Sequence, residues 1–276
     1  MDGKAVATRL RQELSDQLAS LATSPRLVLI GVGDDADSKR YVRQKRKMAQ
    51  QVGISSEERW LPKGEVSDNV EAAVLEACKD PCVDGVLVQL PLPAHLDSRA
   101  VLDCITPEKD VDGLTSISLA GLAMGQFCYL PAAVAGIAHL LAHYGISARG
   151  KRAVVLGMDR FLSWPMAIWL GLQGALVSLL PDAVSESQEV CREADIIVVA
   201  LGRPEVVGAR WVKPGSVVID TGQHRRGGEL VGDVRLEEVM GQAAWITPVP
   251  GGVGPMIVAG LLKNTWAAHQ RAQLRR

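Results

Sequence analysis

Nearly uninterrupted runs of aliphatic residues constrain the fold of this 276-residue chain more than any other feature. The first run covers 26–33, and others cover 85–90, 151–157, 195–201 and 216–220. A strand that is apolar on both faces is typical of a parallel sheet with helices on both sides, because a half-exposed strand would alternate polar and apolar residues. Helical patterns separate these runs, so the chain is predicted to be an α/β protein with parallel sheets.

Helical periodicity and helix stops predict two domains. The helices are expected over 4–22, 68–79, 133–144, 163–173 and 254–272. The first of them ends before Ser24-Pro25, since the residue that precedes a proline disfavours helix. A new β-α-β series begins after Leu130 and has the pattern of a Rossmann-like dinucleotide-binding domain. We therefore predict two doubly wound domains, of which the second is Rossmann-like.

Composition restricts the possible partners. The formal net charge is -1 and acidic and basic residues are interspersed, so neither nucleic acid nor a membrane surface is an expected partner. A small molecule is expected instead. The five cysteines are odd in number and scattered, which indicates reduced thiols, and no apolar run reaches the roughly 20 residues of a membrane-spanning helix. A cytoplasmic location is therefore expected.

Histidine spacing does not indicate a metal site. His139 and His143 stand four residues apart, as in half a zinc site. No glutamate follows His139 in the His-Glu-x-x-His manner, and the surrounding helix is apolar. No metal ion is expected in this protein.

Lys45 follows Tyr41 by four residues in a helical pattern, so the amine and the phenol ring share one helix face. A lysine that is held against apolar surface loses basicity and can carry protons near neutral pH. Lysines also extend along the surface of ordinary amphipathic helices, and this spacing is compatible with both interpretations. Ser38 is expected to cap the helix that carries the pair.

Four further segments carry a family resemblance. They are Asp2-Gly-Lys-Ala, Val88-Gln89-Leu90-Pro91-Leu92-Pro93, Pro107-Glu108-Lys109-Asp110-Val111-Asp112-Gly113, and Thr247 to Met256. Both the residues of these segments and their order along the chain resemble the bifunctional methylenetetrahydrofolate dehydrogenase/methenyltetrahydrofolate cyclohydrolase family. The resemblance covers nearly the whole chain. The resemblance implies a homodimeric folate enzyme whose last helix packs on the first domain. The predicted domains are then 1–125 with 254–276, which is the folate-binding catalytic domain, and 126–253.

The resemblance implies roles on the folate side. Lys45 would carry protons, Gln89 would be its hydrogen-bonding partner, Tyr41 would position the pterin, and Asp112 would accept from its N–H groups. Further substrate contacts are expected at Val88, Leu90, Pro250, Gly251, Gly252, Val253 and Gly254. Asp112 could instead be a turn residue before Gly113, and the 250–254 segment could be a simple turn.

The cofactor side departs from the family pattern. The usual loop is Gly-Arg-Ser-x-x-Val-Gly-x-Pro, whereas here Met158 and Asp159 follow Gly157, and Ser163 replaces a glycine. A carboxylate beside a phosphate site disfavours the close approach of phosphate to a helix N-terminus. Contacts with the cofactor are nevertheless expected at Gly157, Met158, Asp159, Ser163, Pro165, Asp182, Gly202 and Gln223.

Asp182 bears on the choice between NAD and NADP. It lies where a hydroxyl residue would help bind the 2′-phosphate of NADP, and a carboxylate there favours an unphosphorylated ribose. It could equally be a solvated loop acid after Pro181. The cofactor is expected to be NAD or NADP, with NAD favoured.

Three functions are compatible with these observations. In the first, 5,10-methylenetetrahydrofolate is oxidised to 5,10-methenyltetrahydrofolate with a nicotinamide cofactor, and the product is hydrolysed to 10-formyltetrahydrofolate. In the second, the dinucleotide site has decayed and only the cyclohydrolase remains. In the third, a folate-type pocket serves other chemistry or ligand binding.

Overall fold

The computed structural model describes residues 1–21, 23–126, 129–181 and 186–275. It divides into two compact units. The folate unit, as we call it, comprises Arg9–Ala132 and Val258–Arg276, and the nucleotide unit comprises Met1–Thr8 and Ala133–Ile257. This division assigns the first eight residues to the nucleotide unit, whereas the sequence-based division assigned them to the first domain. No helix in the described part of the chain is long and apolar enough to cross a membrane.

The folate unit contains a three-stranded parallel sheet. Its strands are β1 (Arg26–Val32), β2 (Ser55–Leu61) and β3 (Gly85–Val88), in the order β2-β1-β3. Every residue of β1 after Arg26 is buried, as its aliphatic sequence predicts. The first five helices are α1 (Gly3–Leu18), α2 (Ala36–Val52), α3 (Ser67–Lys79), α4 (Ser98–Asp103) and α5 (Ser116–Ala123).

The N-terminus of α2 corrects one expectation. Asp35, and not Ser38, caps this helix, because its carboxylate accepts a hydrogen bond from the Ser38 N–H at 2.7 Å. Ser38 lies inside the helix and is buried. A carboxylate both accepts from a free N–H and complements the positive end of the helix dipole, so the aspartate three residues earlier makes the stronger cap.

The nucleotide unit contains a five-stranded parallel sheet in the order β10-β7-β6-β4-β5. Its elements, in chain order, are α6 (Ala132–His143), β4 (Arg152–Leu156), α7 (Ser163–Leu172), β5 (Leu176–Leu180), α8 (Glu186–Arg192), β6 (Ile196–Val199), a 3-10 turn (Ala209–Trp211), β7 (Val217–Asp220), β8 (His224–Arg226), β9 (Glu229–Val231), α9 (Leu236–Met240) and β10 (Trp245–Ile246). The last helix, α10 (Val253–Leu274), begins in this unit, and from Val258 onward it belongs to the folate unit. The strand order reverses between β4 and β6, and ligands of such sheets bind beyond the strands' carboxyl ends at this point.

Both faces of this sheet are buried, which confirms the predicted doubly wound architecture. Along β4, Ala153 and Val155 belong to one core cluster, whereas Val154 and Leu156 belong to another. Alternate side chains of a strand point to opposite faces, so the two clusters lie on opposite sides of the sheet. Helices α6 and α7 contribute to the first cluster, and α8 and α9 contribute to the second.

Candidate functional site

In the folate unit, Lys45 and Gln89 form the hydrogen bond that the family resemblance implied. Lys45 extends from α2, and Gln89 is the residue after β3, at the carboxyl end of the sheet. The Lys45 Nζ donates to Gln89 Oε1 at 3.0 Å, and the Gln89 amide donates to the Leu90 carbonyl at 2.6 Å. The second bond fixes which way the amide faces, so its oxygen stays directed at the amine.

Lys45 and Asp112 form the electrostatic centre of this site. Burial lowers the pKa of Lys45, and the Asp112 carboxylate opposes that change. Burial likewise raises the pKa of Asp112, while Lys45 opposes the rise and Asp110 adds to it. Each group is therefore shifted toward its neutral form, which makes transfer of a proton to or from the amine easier than for a solvated lysine.

Asp110 performs the turn function that was the alternative interpretation of Asp112. Its Oδ1 accepts from the N–H groups of Gly113 at 2.9 Å and Leu114 at 3.2 Å, and its Oδ2 accepts from Thr115 at 2.9 Å. Among the described residues, no hydrogen bond to the Asp112 carboxylate is present. The Asp112 side chain is thus left for a ligand. The sequence analysis missed Asp110, although an acid two residues before Asp-Gly is a recognisable turn signal.

Tyr41 is half-buried on the same helix as Lys45. The guanidinium carbon of Arg40 lies 5.2 Å from the centroid of the Tyr41 ring, a distance typical of a cation–π contact. One face of the ring therefore has an intramolecular partner. The positioning role of Tyr41 stays a prediction, as do the substrate contacts of the buried Val88 and the half-buried Leu90.

The segment from Pro250 to Gly254 has a packing function within the nucleotide unit. The Gly251 carbonyl accepts from the Lys4 N–H at 2.8 Å, and a Cβ on Gly3 would lie 1.8 Å from the Gly252 carbonyl oxygen. A Cβ on Gly254 would lie 2.6 Å from the amide nitrogen of Gln223. Close packing therefore accounts for the presence of glycine at several of these positions. Contacts of the 250–254 segment with a ligand, including those of Val253, remain predictions.

The glycine turn of the predicted dinucleotide site follows β4. Gly157 has a φ of +116°, and a Cβ there would lie 2.0 Å from the Ala200 carbonyl oxygen beyond β6. Only glycine fits both the backbone angle and this approach. The two strand ends that flank the reversal of strand order therefore lie in close contact.

Asp159 occupies the backbone donors that open α7. Its Oδ1 accepts from the N–H groups of Phe161 at 2.9 Å and Leu162 at 2.7 Å. Its carbonyl oxygen accepts from Ser163 at 2.9 Å and Trp164 at 3.2 Å. One residue thus satisfies four consecutive N–H groups in the turn that the family pattern assigns to phosphate.

The other substituted positions of this turn are apolar or buried. Met158 and Trp164 are 46% and 47% exposed. Ser163 is fully buried, and within the described residues its hydroxyl has no hydrogen-bonding partner. Pro165 is buried in the first turn of α7, where a missing N–H costs least. Asp182 lies outside the described residues.

Gly202 and Gln223 lie on loops after β6 and β7, and a residue that the sequence analysis missed organises both loops. The fully buried Asp233 carboxylate accepts from the N–H groups of Leu201 at 2.6 Å and Gly202 at 3.1 Å. It also pairs with His224 Nε2 at 2.6 Å. The partners are distant in sequence, so no local pattern could have indicated this cluster.

The fold and these sites define a class: an α/β protein with a dinucleotide-binding type of unit and a second α/β unit that carries a paired lysine and carboxylate. Comparisons with known proteins give the family. The profile described as tetrahydrofolate dehydrogenase/cyclohydrolase, catalytic domain, matches residues 1–112. The profile of the NAD(P)-binding domain of the same family matches residues 131–273. The chain belongs to the tetrahydrofolate dehydrogenase/cyclohydrolase family.

Individual relatives agree with this assignment over the whole chain. The bifunctional protein FolD of Moorella thermoacetica is 40% identical over 275 residues, which cover 98% of each protein. The crystal structure of the bifunctional enzyme FolD from Campylobacter jejuni has a TM-score of 0.95 at 37% identity, over 100% of this chain and 98% of that one. The Trypanosoma brucei enzyme, solved with NADP cofactor and an inhibitor, has a TM-score of 0.94 at 34% identity and the same coverage.

Proposed function

We propose that the protein oxidises 5,10-methylenetetrahydrofolate to 5,10-methenyltetrahydrofolate with a nicotinamide cofactor, and then hydrolyses the methenyl compound to 10-formyltetrahydrofolate. Family membership over both units supports the pair of activities. The observation that carries the proposal is the half-buried Lys45, which is hydrogen-bonded to Gln89 and electrostatically coupled to Asp112. A solvated surface lysine would keep its ordinary pKa. The Lys45 amine instead has a lowered pKa and interacts with the Asp112 carboxylate, to which no described residue donates a hydrogen bond.

Hydrolysis needs one group that takes a proton and returns it. Water adds to the methenyl carbon, and neutral Lys45 accepts the proton that the water loses. The bond from that carbon to the pterin-side nitrogen then breaks, and the Lys45 ammonium delivers a proton to the departing nitrogen. The formyl group remains on the other nitrogen, and the overall reaction releases one proton.

Gln89 and Asp112 hold the reacting parts in place. The oxygen of the Gln89 amide orients the Lys45 amine, and the link from Gln89 to Leu90 keeps that oxygen in position. Asp112 would accept from the ring N–H and the exocyclic amine of the pterin together, which fixes the ring orientation. Burial raises the Asp112 pKa, and Lys45 opposes the rise and so favours the anionic form that this role needs.

The nucleotide unit fits a nicotinamide dinucleotide in topology, with Gly157, Gly202 and Gln223 at the carboxyl edge of a sheet whose order reverses there. A bound cofactor would accept a hydride from the methylene carbon. We propose NAD over NADP, because Asp159 places a carboxylate in the turn that the family pattern assigns to phosphate, and because the sequence pattern aligns Asp182 with the residue that would help bind the 2′-phosphate. Met158, Ser163 and Pro165 would line the turn.

We further propose that the protein is a cytoplasmic homodimer. Leu172 and Leu176 are 51% and 67% exposed, and Leu176 begins the edge strand β5. An exposed apolar edge strand is a common site of pairing with a second copy. Light scattering after size-exclusion chromatography tests this, with a dimer mass as the expected result and a monomer mass as the contrary one.

Two assays on purified protein test the proposed function. Loss of methenyl absorbance without any dinucleotide reports hydrolysis, and growth of absorbance at 340 nm on methylenetetrahydrofolate with NAD or NADP reports oxidation. Hydrolysis without oxidation would favour a cyclohydrolase with a decayed cofactor site, a version that the filled α7 turn supports. Absence of both activities in folded protein would favour a folate-pocket relative with other chemistry.

A further inference from the structure

No backbone donor is left at the start of α7, within the described stretch from 161 to 166. The N–H groups of 161–164 all donate to Asp159. Pro165 has no N–H, and the N–H of Met166 donates to the Leu162 carbonyl at 2.9 Å. The donors with which a helix terminus of this kind would receive an anion are already in use.

A helix N-terminus attracts phosphate for two reasons: its N–H groups are unpaired, and the helix dipole is positive there. The Asp159 carboxylate occupies the N–H groups of Phe161 and Leu162, the Asp159 carbonyl occupies the next two, and the charge of the carboxylate neutralises part of the dipole. The carboxylate also adds a negative charge that a phosphate would have to approach. A pyrophosphate brought to this turn must therefore displace the carboxylate from two hydrogen bonds or remain next to it.

We propose that Asp159 is a specificity-determining residue of the dinucleotide site, and that its carboxylate acts as a built-in competitor for the cofactor's phosphates. This inference rests on the proposed function, since it assumes that a dinucleotide approaches the β4–α7 turn. Asp159 weakens the binding of both nicotinamide dinucleotides. The effect is larger for NADP than for NAD, because NADP carries an additional phosphate.

Asp97 provides a matched control in the other unit. Its Oδ1 caps α4 by accepting from the N–H groups of Arg99 at 2.8 Å and Ala100 at 3.4 Å. The spacing of the acceptor and its two donors is the same as at Asp159, two and three residues along the chain. A substitution of Asp97 therefore reproduces the loss of a capping charge without changing the dinucleotide turn.

The test measures the dissociation constants of NAD and NADP by isothermal titration calorimetry. Wild type, Asp159→Asn, Asp159→Ser and Asp97→Asn are compared at low and at moderate salt. Asparagine keeps an acceptor for the cap and removes the charge, and a melting curve verifies that each variant is folded. We expect both Asp159 variants to bind NAD at least about tenfold more tightly at low salt, because a like charge within a few ångströms is removed. The gain should shrink as salt screens it, and Asp97→Asn should bind as wild type does.

An affinity that is unchanged or weaker in folded Asp159→Asn and Asp159→Ser would overturn the inference. An equal gain in Asp97→Asn would overturn it too, since the effect would then not be specific to the turn. Hydrolysis of methenyltetrahydrofolate by the wild type without dinucleotide is recorded separately. Its absence would count against the proposed function, while the comparison of dissociation constants still decides the role of Asp159.

Discussion

Asp112 at the candidate site of the folate unit and Asp159 at the candidate site of the nucleotide unit differ in whether the protein itself occupies the carboxylate. At Lys45 and Asp112, burial shifts both pKa values toward the neutral forms, and the Asp112 carboxylate has no hydrogen bond from the described residues. At the exposed Asp159 and the buried Asp233, the carboxylates accept hydrogen bonds from backbone N–H groups of their own unit, and Asp233 also pairs with His224. The first site is ready for a substrate, whereas the second is stabilised from within. A shared family fold therefore does not make both sites equally open to ligands.

Removal of the amine should have the largest effect. Lys45→Met should lower the rate of dinucleotide-free hydrolysis by about 1000-fold, because the proton carrier is lost. Lys47→Met, on the exposed side of the same helix, is the matched control and should retain wild-type activity. Stopped-flow loss of methenyl absorbance measures both. Comparable hydrolysis rates in the two variants would show that Lys45 matters no more than an exposed lysine. The folate unit could then not be described as the one whose site is ready for a substrate.

Loss of the free carboxylate should have the next largest effect. Asp112→Asn should raise KM for the folate by about 10-fold to 100-fold, since a charge-assisted hydrogen bond is lost. The Asp112 carboxylate raises the Lys45 pKa, so its removal should move the rising limb of the kcat/KM profile to lower pH. Steady-state kinetics across pH measure both changes. A profile that moves to higher pH would contradict the coupling.

Within the nucleotide unit, we expect substitutions at closely packed positions to lower the free energy of unfolding more than they change the catalytic rate. A Cβ on Gly232 would lie 1.8 Å from Asp220 Oδ2, so Gly232→Ala should lower the free energy of unfolding by about 1–3 kcal/mol. Gly241→Ala is the control, because Gly241 has a φ of −81° and no atom within 4 Å of an added Cβ. Urea unfolding compares the two. Equal stabilities would show that this unit is less tightly packed than we describe.

The smallest effect concerns an ion pair at the amino end of β6. The hydrogen bond from Lys213, 2.7 Å long, is the main reason that the pKa of Asp195 is lowered. A carboxyl whose folded pKa is lowered stabilises the protein above its unfolded pKa and loses this contribution as the pH falls through the folded pKa. Asp195→Asn should therefore cost about 1 kcal/mol or less at neutral pH, and this cost should disappear as the pH falls through the lowered folded pKa of Asp195. A cost that persists in acid would indicate packing rather than charge.

The strands could be predicted from the sequence, whereas the assignment of individual acids could not. Aliphatic runs such as 26–32 specify buried parallel strands because no other environment suits them. By contrast, Asp35 and Asp110 each lie near another candidate for the same cap or turn, Ser38 and Asp112, and only the backbone path decides which side chain meets the N–H groups. The contact of Asp233 with Leu201 joins residues 32 positions apart, which no local pattern encodes.

One missed element had a visible signal. The hairpin of β8 and β9 pairs Arg226 with Glu229 across Gly227-Gly228, and both glycines have positive φ. Two glycines between short polar strands are typical of a tight hairpin turn. Neither strand is a long apolar run, because β8 is polar and mostly exposed and β9 has only three residues. Periodicity therefore finds the core of such a fold more readily than its surface hairpins.

Titration of the lysine side chains by NMR tests the central claim most directly. Selectively labelled lysine allows the resonance of Lys45 to be assigned by its absence in Lys45→Met. We predict that this resonance titrates below the ordinary lysine value of 10.5, and that it moves lower still in Asp112→Asn. A Lys45 that titrates together with the exposed lysines would contradict the account, because the amine could not then exchange protons with a bound folate near neutral pH.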